Sequence, residues 1–571
     1  MKNQLVADIL YQIADLLDLK GEIFFKTRAY RMAAQTIEVL DEDIEVITKE
    51  NRLQDIPGVG EALAKKIKEI VETDKIEYLE KLKKEIPEEL LKMLNISGLG
   101  PKRVAALYKN LGIKTIDELR KACIEGKLRN LDGFGELLEL NILRGIQVME
   151  QTSGRALLHV AIEDGENYLS FIKKFDKVKR ASLAGSLRRR KETIGDIDIL
   201  ASSESPDDVM DYFVKYNDIN RVLLKGSTKT SVVLNDNLQV DLRVVKDESF
   251  GAALQYFTGS KEHNVKMRSL AIKKGYKLNE YGLFDKQSES YVVGKNEEEI
   301  YKKLGLEYIE PEMRENRGEI EVAANGKLPK LISYNDIKGD LHVHSNWSDG
   351  LESIESISRF CKKIGYEYVG ISDHSQSLKV ARGLSEERII KKIAEIEKIN
   401  KKISNFKVFC GTECDIKPDG SLDYNNNILK KFDFVCAGIH LGFKMNKTDA
   451  TNRIMKAMEN NYVNCIAHPT CRLMGRREPF ELDMEKIFEK AKETNTFLEI
   501  NSFPDRLDLN DLYIKQAKEK DVKFIIDTDA HNLHHLSFIK YGIATARRGW
   551  LEKKDILNTK SINEIEKILV K

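Results

Sequence analysis

The apolar positions change period several times along the chain, and each change marks a domain. Near the start, Val6, Ile9, Leu10, Ile13, Leu16 and Leu17 recur at helix spacing. Residues 24–40 predict a second amphipathic helix, with Lys26, Arg28 and Arg31 near its start. Three Gly-containing turns then each open a helix: IPGVGEALAKKI from Ile56, ISGLGPKRVAALY from Ile96, and LDGFGELLELNIL from Leu131. From about Arg155 the period shortens to two, in LAGSLRRRKETIGDIDIL (183–200) and LQVDLRVV (238–245). Residues 250–276 predict two helices broken at Thr258-Gly259-Ser260. Residues 317–336, with Asn-Gly and Pro, predict a linker. From Ile337 onward, short apolar strands alternate with helical stretches such as 384–403.

The period-two stretch carries chemistry. Asp196 and Asp198 are two apart on one predicted strand, so their carboxylates share a face. Carboxylates that close repel unless a divalent cation joins them. Asp241, between Val240 and Leu242, adds a third if its strand is the neighbour. Gly185 and Ser186 offer backbone N–H groups and a hydroxyl to phosphate oxygens. Arg188, Arg189, Arg190 and Lys191 bring positive charge beside them. Such a set suits two-metal phosphoryl or nucleotidyl transfer.

A second set lies further on. Eight of the ten histidines fall between His342 and His535. His342, His344, Asp349, His374, Glu413, His440, His468, Asp529 and His531 each sit at or just after the end of a short apolar strand. Repeated strand–helix units with functional residues at strand C-termini predict a β/α barrel. Mixed imidazole and carboxylate ligands suit zinc, manganese or iron. These nine are enough for two or three ions, bridged by an acid such as Glu413, and for hydrolysis of a phosphate ester. His534 and His535 fit no ligand position and read as surface residues. Cys410 and Cys414 read as buried thiols.

Composition narrows the class. A chain of 571 residues with 42% hydrophobic and 32% charged residues predicts a soluble multidomain protein. It has no apolar run long enough for a membrane span and no signal-peptide layout. Seven scattered cysteines predict a reduced, cytoplasmic setting. The net charge is only +1, yet Lys177–Lys191 holds seven basic residues and no acid.

The residues from Gly185 to Asp241 resemble the nucleotidyltransferase palm of X-family DNA polymerases. That resemblance implies that Gly185, Ser186 and Arg189 grip a nucleoside triphosphate. It also implies that Asp196, Asp198 and Asp241 hold two magnesium or manganese ions, with Asp241 closest to the primer 3′-hydroxyl. YFTGSKEHNVKMR resembles the fingers of that family, which puts Tyr256, Phe257 and Gly259 beside the deoxyribose. Asn264 and Arg268 would then contact the base and template. The early turns resemble helix-hairpin-helix modules, which bind DNA backbone. Gly58, Gly60, Gly98 and Gly100 would do so here, with a monovalent cation held by the turn carbonyls. Lys66 matches a lysine that forms a Schiff base in lyase-active members, but Ala62 replaces a supporting lysine. The histidine-rich set resembles the polymerase-and-histidinol-phosphatase (PHP) domain, a trinuclear metallo-hydrolase, with Arg472, Arg476 and Arg477 available to phosphate.

The expected architecture is multidomain α and α/β. Residues 1–90 and 91–150 are helical DNA-binding segments, 151–245 the palm, 246–316 the fingers, 317–336 a linker and 337–571 a distorted TIM-like barrel. The expected activity is filling of short gaps in DNA repair, with a 3′-5′ exonuclease in the carboxy-terminal domain. Partners would be gapped or primed DNA and deoxynucleoside triphosphates, no membrane is expected, and the chain reads as a monomer. Three readings compete. One is a nuclease, abasic-site endonuclease or 3′-phosphatase with a weak polymerase. Another is a non-catalytic repair scaffold. The third is a small-molecule phosphatase in the carboxy-terminal half.

Overall fold

The helix spacing at the start of the chain becomes helices Lys2–Lys20 and Phe24–Glu38. Leu10, Ile13 and Leu17 on the first and Ala33, Ala34 and Ile37 on the second are fully buried in one core. Of the basic residues on the second helix, Arg31 pairs internally with Asp15 and Asp18, at 2.7 and 2.8 Å. The computed structural model describes residues 2–569, apart from 21–23, 39, 41, 74, 95, 97–98, 132–133, 136–137, 144 and 147–153. The chain divides into two compact units, Met1–Ser153 with Leu473–Glu478, and Gly154–Arg472 with Pro479–Lys571.

In the first unit the three predicted turns share one hydrogen-bonding scheme. Val59 N–H donates to Ile56 C=O and Leu63 N–H to Gly60 C=O, both at 3.0 Å. Leu99 to Ile96 and Arg103 to Gly100 repeat this at 3.0 and 2.9 Å, and Phe134 to Leu131 and Leu138 to Gly135 at 3.1 and 2.9 Å. The first two turns open helices Glu61–Thr73 and Pro101–Leu111. Gly58 takes φ +87°, a conformation that other residues rarely adopt. Gly98 lies outside the described residues.

The second unit begins with a five-stranded sheet. Its strands are β1 (Arg180–Leu183), β2 (Asp196–Ser202), β3 (Ile219–Lys225), β4 (Lys229–Leu234) and β5 (Gln239–Val245), in the order β1-β2-β5-β4-β3. β2 and β5 are parallel neighbours, with Asp198 directly opposite Asp241. The period of two is realised: Ile197 and Ile199 are buried, while Asp196 and Asp198 face the other way. Helices Phe250–Thr258 and Lys261–Lys273 follow, broken at Gly259 with φ +70°. Ser260 caps the second helix by accepting from His263 N–H at 3.2 Å.

Residues 317–336 depart from the linker expectation. They contain helix Glu319–Ala324, whose Ile320 and Ala323 are buried with Met267, Leu283 and Tyr301. Glu319 is fully buried against His263 Nδ1 at 2.7 Å, and Leu331 forms a bridge with Glu552. The polar composition hid a short amphipathic helix.

The remainder is a seven-stranded parallel sheet: β6 (Gly339–Val343), β7 (Tyr368–Ile371), β8 (Lys407–Asp415), β9 (Phe434–Gly438), β10 (Cys465–Ile466), β11 (Phe497–Asn501) and β12 (Phe524–Asp527). The strands follow in chain order, and His344 N–H donates to Ala530 C=O at 2.8 Å, joining the first strand to the last. β8 is buried along nearly its whole length because both its faces are covered. All seven cysteines are buried thiols outside any disulfide, Cys410 and Cys414 among them.

Glu297 anchors the segment below the arginine cluster. It pairs with Arg188 at 2.6 Å and with the fully buried Arg314 at 2.6 Å. Burial pushes its carboxyl up, but the two guanidiniums outweigh that and hold it at about 2, against an ordinary 4.5. A lowered folded value means that the group's contribution is complete above about 4.5 and is lost as pH falls towards 2. Glu297→Gln is expected to cost about 3–5 kcal/mol at neutral pH, because two cations lose their anion. Urea unfolding of both proteins should show a gap that is widest at neutral pH and narrows below 4.5.

Candidate functional site

Two clusters of ligand-type side chains lie in the second unit. In the first, Asp196, Asp198 and Asp241 each bring a carboxylate oxygen within 4.8 Å of the others. The register of β2 against β5 does this, as the period-two reading required. Burial and then the neighbouring aspartates raise Asp198 to about 7. Asp241 goes the other way. Burial pushes it up, but hydrogen bonds from Lys229, Gln239 and Ser231 outweigh that and keep it ionised. Gly185 has φ +61°, and a Cβ there would lie 2.1 Å from Asp198 Oδ2. No residue but glycine fits against the carboxylate.

These aspartates open into a cleft of about 540 Å³. Gly185, Ser186, Arg189, Tyr256, Phe257, Gly259, Asn264 and Arg268 all line it, so every expected nucleotide contact converges there. Arg155, Lys191, Arg243 and Lys261 join Arg189 and Arg268 in the wall, and the lining acids are Asp196 and Asp198. A cleft with that excess of positive charge suits a polyphosphate. Asn264 is held on both sides of its amide: Nδ2 donates to Tyr256 C=O at 2.6 Å, and Oδ1 accepts from Gln255 at 2.8 Å. Arg243 stacks on the Phe257 ring at 4.4 Å.

The second cluster sits at the C-terminal ends of the barrel strands and gathers all nine expected ligands around Glu413. Its Oε2 lies 3.4 Å from His342 Nε2, 3.6 Å from His344 Nε2 and 2.9 Å from His374 Nδ1. Its Oε1 lies 2.8 Å from His440 Nε2 and 2.9 Å from His468 Nε2. Asp529 Oδ1 meets His344 Nε2 at 3.2 Å. Asp349 Oδ2 meets His374 Nε2 at 3.4 Å and His531 Nε2 at 3.5 Å. Three overlapping groups can each hold an ion: His344, Asp349, His374 and His531; His342, His344, Glu413 and Asp529; and His374, Glu413 and His440.

The donor set fits metal ions. His342 Nε2, both ring nitrogens of His344, His374 Nδ1 and Glu413 Oε2 are buried with no hydrogen-bond partner among the described residues. Leaving so many polar atoms unsatisfied in one place is costly unless cations take up their lone pairs. Further carboxylates and carbonyls hold the rings: Glu499 Oε1 at 2.6 Å from His342 Nδ1, Asp415 Oδ1 at 3.3 Å from His440 Nδ1, and Asp529 C=O at 2.8 Å from His531 Nδ1. Such outer partners fix the tautomer and aim the other nitrogen inward.

Comparison with known proteins decides the family. A relative in Bacillus subtilis, "DNA polymerase/3'-5' exonuclease PolX", is 38% identical over 571 residues, covering 100% of this chain and 99% of its own. This chain belongs to the X-family DNA polymerases that carry a PHP domain. Rat DNA polymerase lambda is 26% identical over 46% of the chain and 48% of its own length. A probable phosphatase of Thermoanaerobacter is 28% identical over 38% of this chain and 89% of its own. Family models match as helix-hairpin-helix domain (1–76), SAM-like helix-hairpin-helix tandem (88–147), DNA polymerase beta thumb (253–315) and PHP domain (340–503). The segment expected as fingers is thus the one described in this family as the thumb.

Several residues of this X-family chain escaped the sequence reading. Arg472, expected to hold phosphate, is instead committed to Glu192 at 2.6 and 3.1 Å and to the carbonyl of Arg506 at 2.7 Å. Arg476 and Arg477 lie in a turn closed by a Leu473–Arg477 bridge. Arg506 instead lies beside the cluster: its Nε is 3.6 Å from Asp529 Oδ2, and its buried Nη1 has no hydrogen-bond partner among the described residues. The signal was available in NSFPDRLDL, which follows strand β11, but no ligand pattern included it. His535, expected at the surface, is half-buried, and its Nδ1 accepts from His531 N–H at 3.3 Å. Lys66 lies over the Tyr78 ring at 4.8 Å, and Lys65 is paired with Glu61 at 2.8 Å, so Lys65 does not lend Lys66 a bare positive charge.

Two substitutions test these geometries. Gly185→Ala should lower primer extension by about 100-fold or more while leaving end-trimming intact, since it displaces Asp198. Arg506→Ala should lower phosphodiester hydrolysis by about 10²–10³-fold and leave extension intact, as loss of a charged donor beside a reacting phosphate does. Both are read on one labelled primer, with and without nucleotides.

Proposed function

We propose that this chain fills short gaps in DNA at the palm and removes nucleotides from 3′ ends at the PHP domain. The observation that carries the first half is the Asp198–Asp241 pairing across parallel strands, with Asp196 and Asp198 lining a basic cleft. The Glu413-centred set, with its unsatisfied buried donors, carries the second.

In the palm, Asp196, Asp198 and Asp241 would hold two magnesium or manganese ions. In the barrel, the nine ligands would hold two or three zinc, manganese or iron ions. When bound, such ions activate an oxygen nucleophile and neutralise phosphate charge. The chain's own groups do the rest. Arg189, Lys191 and Lys261 receive the triphosphate, and Gly185 and Ser186 approach it with backbone. The Tyr256–Gly259 turn supports the sugar, and Asn264 and Arg268 meet the base and template. Asp241 is the group we assign to accept the 3′-hydroxyl proton, since Lys229 and Gln239 keep it ionised. In the barrel, Arg506 holds the scissile phosphate beside Asp529. The repeated glycine turns of the first unit grip DNA backbone, and Lys66 contacts phosphate there. The phosphatase relatives support a second reading of the barrel, as a remover of 3′-phosphates, and a 3′-phosphorylated primer tests it in the same assay.

The deciding experiment uses a labelled primer on a gapped duplex with a 5′-phosphate, in manganese. Asp196→Ala/Asp198→Ala should lose extension and keep shortening. His342→Ala/His344→Ala should lose shortening and keep extension. A wild type that shortens the primer but never extends it would sink the polymerase half.

A further inference from the structure

Charged groups from the PHP domain reach the wall of the polymerase cleft. Arg548 ends helix Ile539–Arg548, which lies against the barrel strands β11 and β12. Its side chain is 2% exposed. Nη1 donates to the backbone carbonyl of Arg189 at 2.6 Å and to Glu315 Oε1 at 3.0 Å, and Nη2 donates to Asp511 Oδ2 at 2.6 Å. Glu315 Oε1 also accepts from Arg189 Nε at 3.0 Å. Arg189 Nη1 in turn donates to the carbonyl of Thr258, in the turn beside the cleft.

The signs alternate along this row. Arg189, Glu315, Arg548, Asp511 and Arg317 follow one another, the last pair at 3.0 Å. A carboxylate paired with Arg189 alone would cancel the charge that a triphosphate needs. Shared with Arg548, it anchors the Arg189 side chain and leaves the group net positive. Guanidinium is rigid and planar, so the two acceptors that share Nη1 are held at one spacing. Here those acceptors are the main chain of Arg189 and the carboxylate that grips its side chain. The same loop is held again three residues on, where Arg472 of the barrel pairs with Glu192.

We propose that the PHP domain is part of the polymerase's nucleotide site: Arg548 is a positioning residue that fixes Arg189, through Glu315 and the Arg189 carbonyl, for the incoming triphosphate. The proposal rests on the assignment of Arg189 to the triphosphate given above. It makes nucleotide affinity depend on a domain with a different chemistry.

The test measures kcat and KM for a deoxynucleoside triphosphate on gapped DNA, with the full-length chain, alongside shortening of single-stranded DNA. The variants are Arg548→Ala, Arg548→Lys, Arg189→Ala and the Arg189→Ala/Arg548→Ala double. Arg548→Ala should raise the nucleotide KM about tenfold, as loss of a charged hydrogen bond does, with kcat and shortening within about twofold. The double variant should be no worse than Arg189→Ala alone, because both remove one interaction. Arg548→Lys keeps the buried charge but not the fork. It should raise KM in the same direction, and it carries the test if Arg548→Ala fails to fold. An unchanged KM in both Arg548 variants, losses that multiply in the double, or shortening that falls in step with extension would each overturn the proposal. If Arg189→Ala itself leaves KM unchanged, the assignment of Arg189 is wrong and the relay falls with it. If only the Arg548 variants are silent, the relay alone falls.

Discussion

Three carboxylates within 4.8 Å of one another repel, and the polymerase half of this molecule is built to hold them there. A loop could not do it, because it would relax. Strands β2 and β5 run parallel and pair from Asp196–Gln239 to Ser202–Val245, so Asp198 and Asp241 are fixed by backbone hydrogen bonds. Beneath them Ile197, Ile199, Val240 and Leu242 are buried and resist any slip, which would turn every side chain to the wrong face. The repulsion is also unequal. Lys229 at 2.6 Å stabilises Asp241, while among the described residues no lysine pairs with Asp198, which is the group driven upward.

The barrel solves the same problem differently. Its ligands come from six of the seven strand ends and the loops after them, so no single strand pairing sets the geometry. Buried polar groups behind the site do so instead. Glu499 fixes His342, and Asp373 binds Ser345 N–H at 2.8 Å in the loop that carries His344. Asp373 is a fully desolvated anion, and Lys392 neutralises it at 2.8 Å while also donating to the carbonyls of Ile371 and Gly411. A buried ion pair contributes little net stability but holds its neighbours in one arrangement when every donor is satisfied. Here it joins β7 and β8 next to His374 and Glu413.

What could be read from the sequence was local. The DxD spacing, the break at Thr258-Gly259-Ser260 and the ligand at each strand end depend on residues a few positions apart, where the periods of strand and helix govern. The three glycine turns were legible for the same reason. Long-range partnerships were not. Glu499 is 157 residues from His342, and Arg548 is 359 from Arg189. Nothing in the local pattern of FLEIN or ATARRGW distinguishes such residues from an ordinary strand end or helix end. Arg472 was misassigned because its motif lies next to His468, whereas in the fold its guanidinium turns to Glu192. The stretch 317–336 read as a linker because its three buried apolar positions, Ile320, Ala323 and Ile332, are too few to dominate its polar composition.

That last misreading bears on how one DNA end could serve two active sites. A bending linker between palm and barrel would carry the end across by rotating one domain. Such a hinge would have to break the burial of Ile320 and Glu319, the Leu331–Glu552 bridge and the bond from Arg547 to Ile332 C=O at 2.9 Å. It would also have to part Arg472 from Glu192, Arg547 from Glu312 at 2.7 Å, and Arg548 from Glu315. Water would take up both partners of each ion pair, so the pairs fix the register of the two surfaces more than they resist opening. The resistance lies in the apolar surface of Ile320, Ala323 and Ile332, which such a motion would expose. The stretch 317–336 thus joins palm and barrel through packed and hydrogen-bonded contacts, where a free linker would leave them independent.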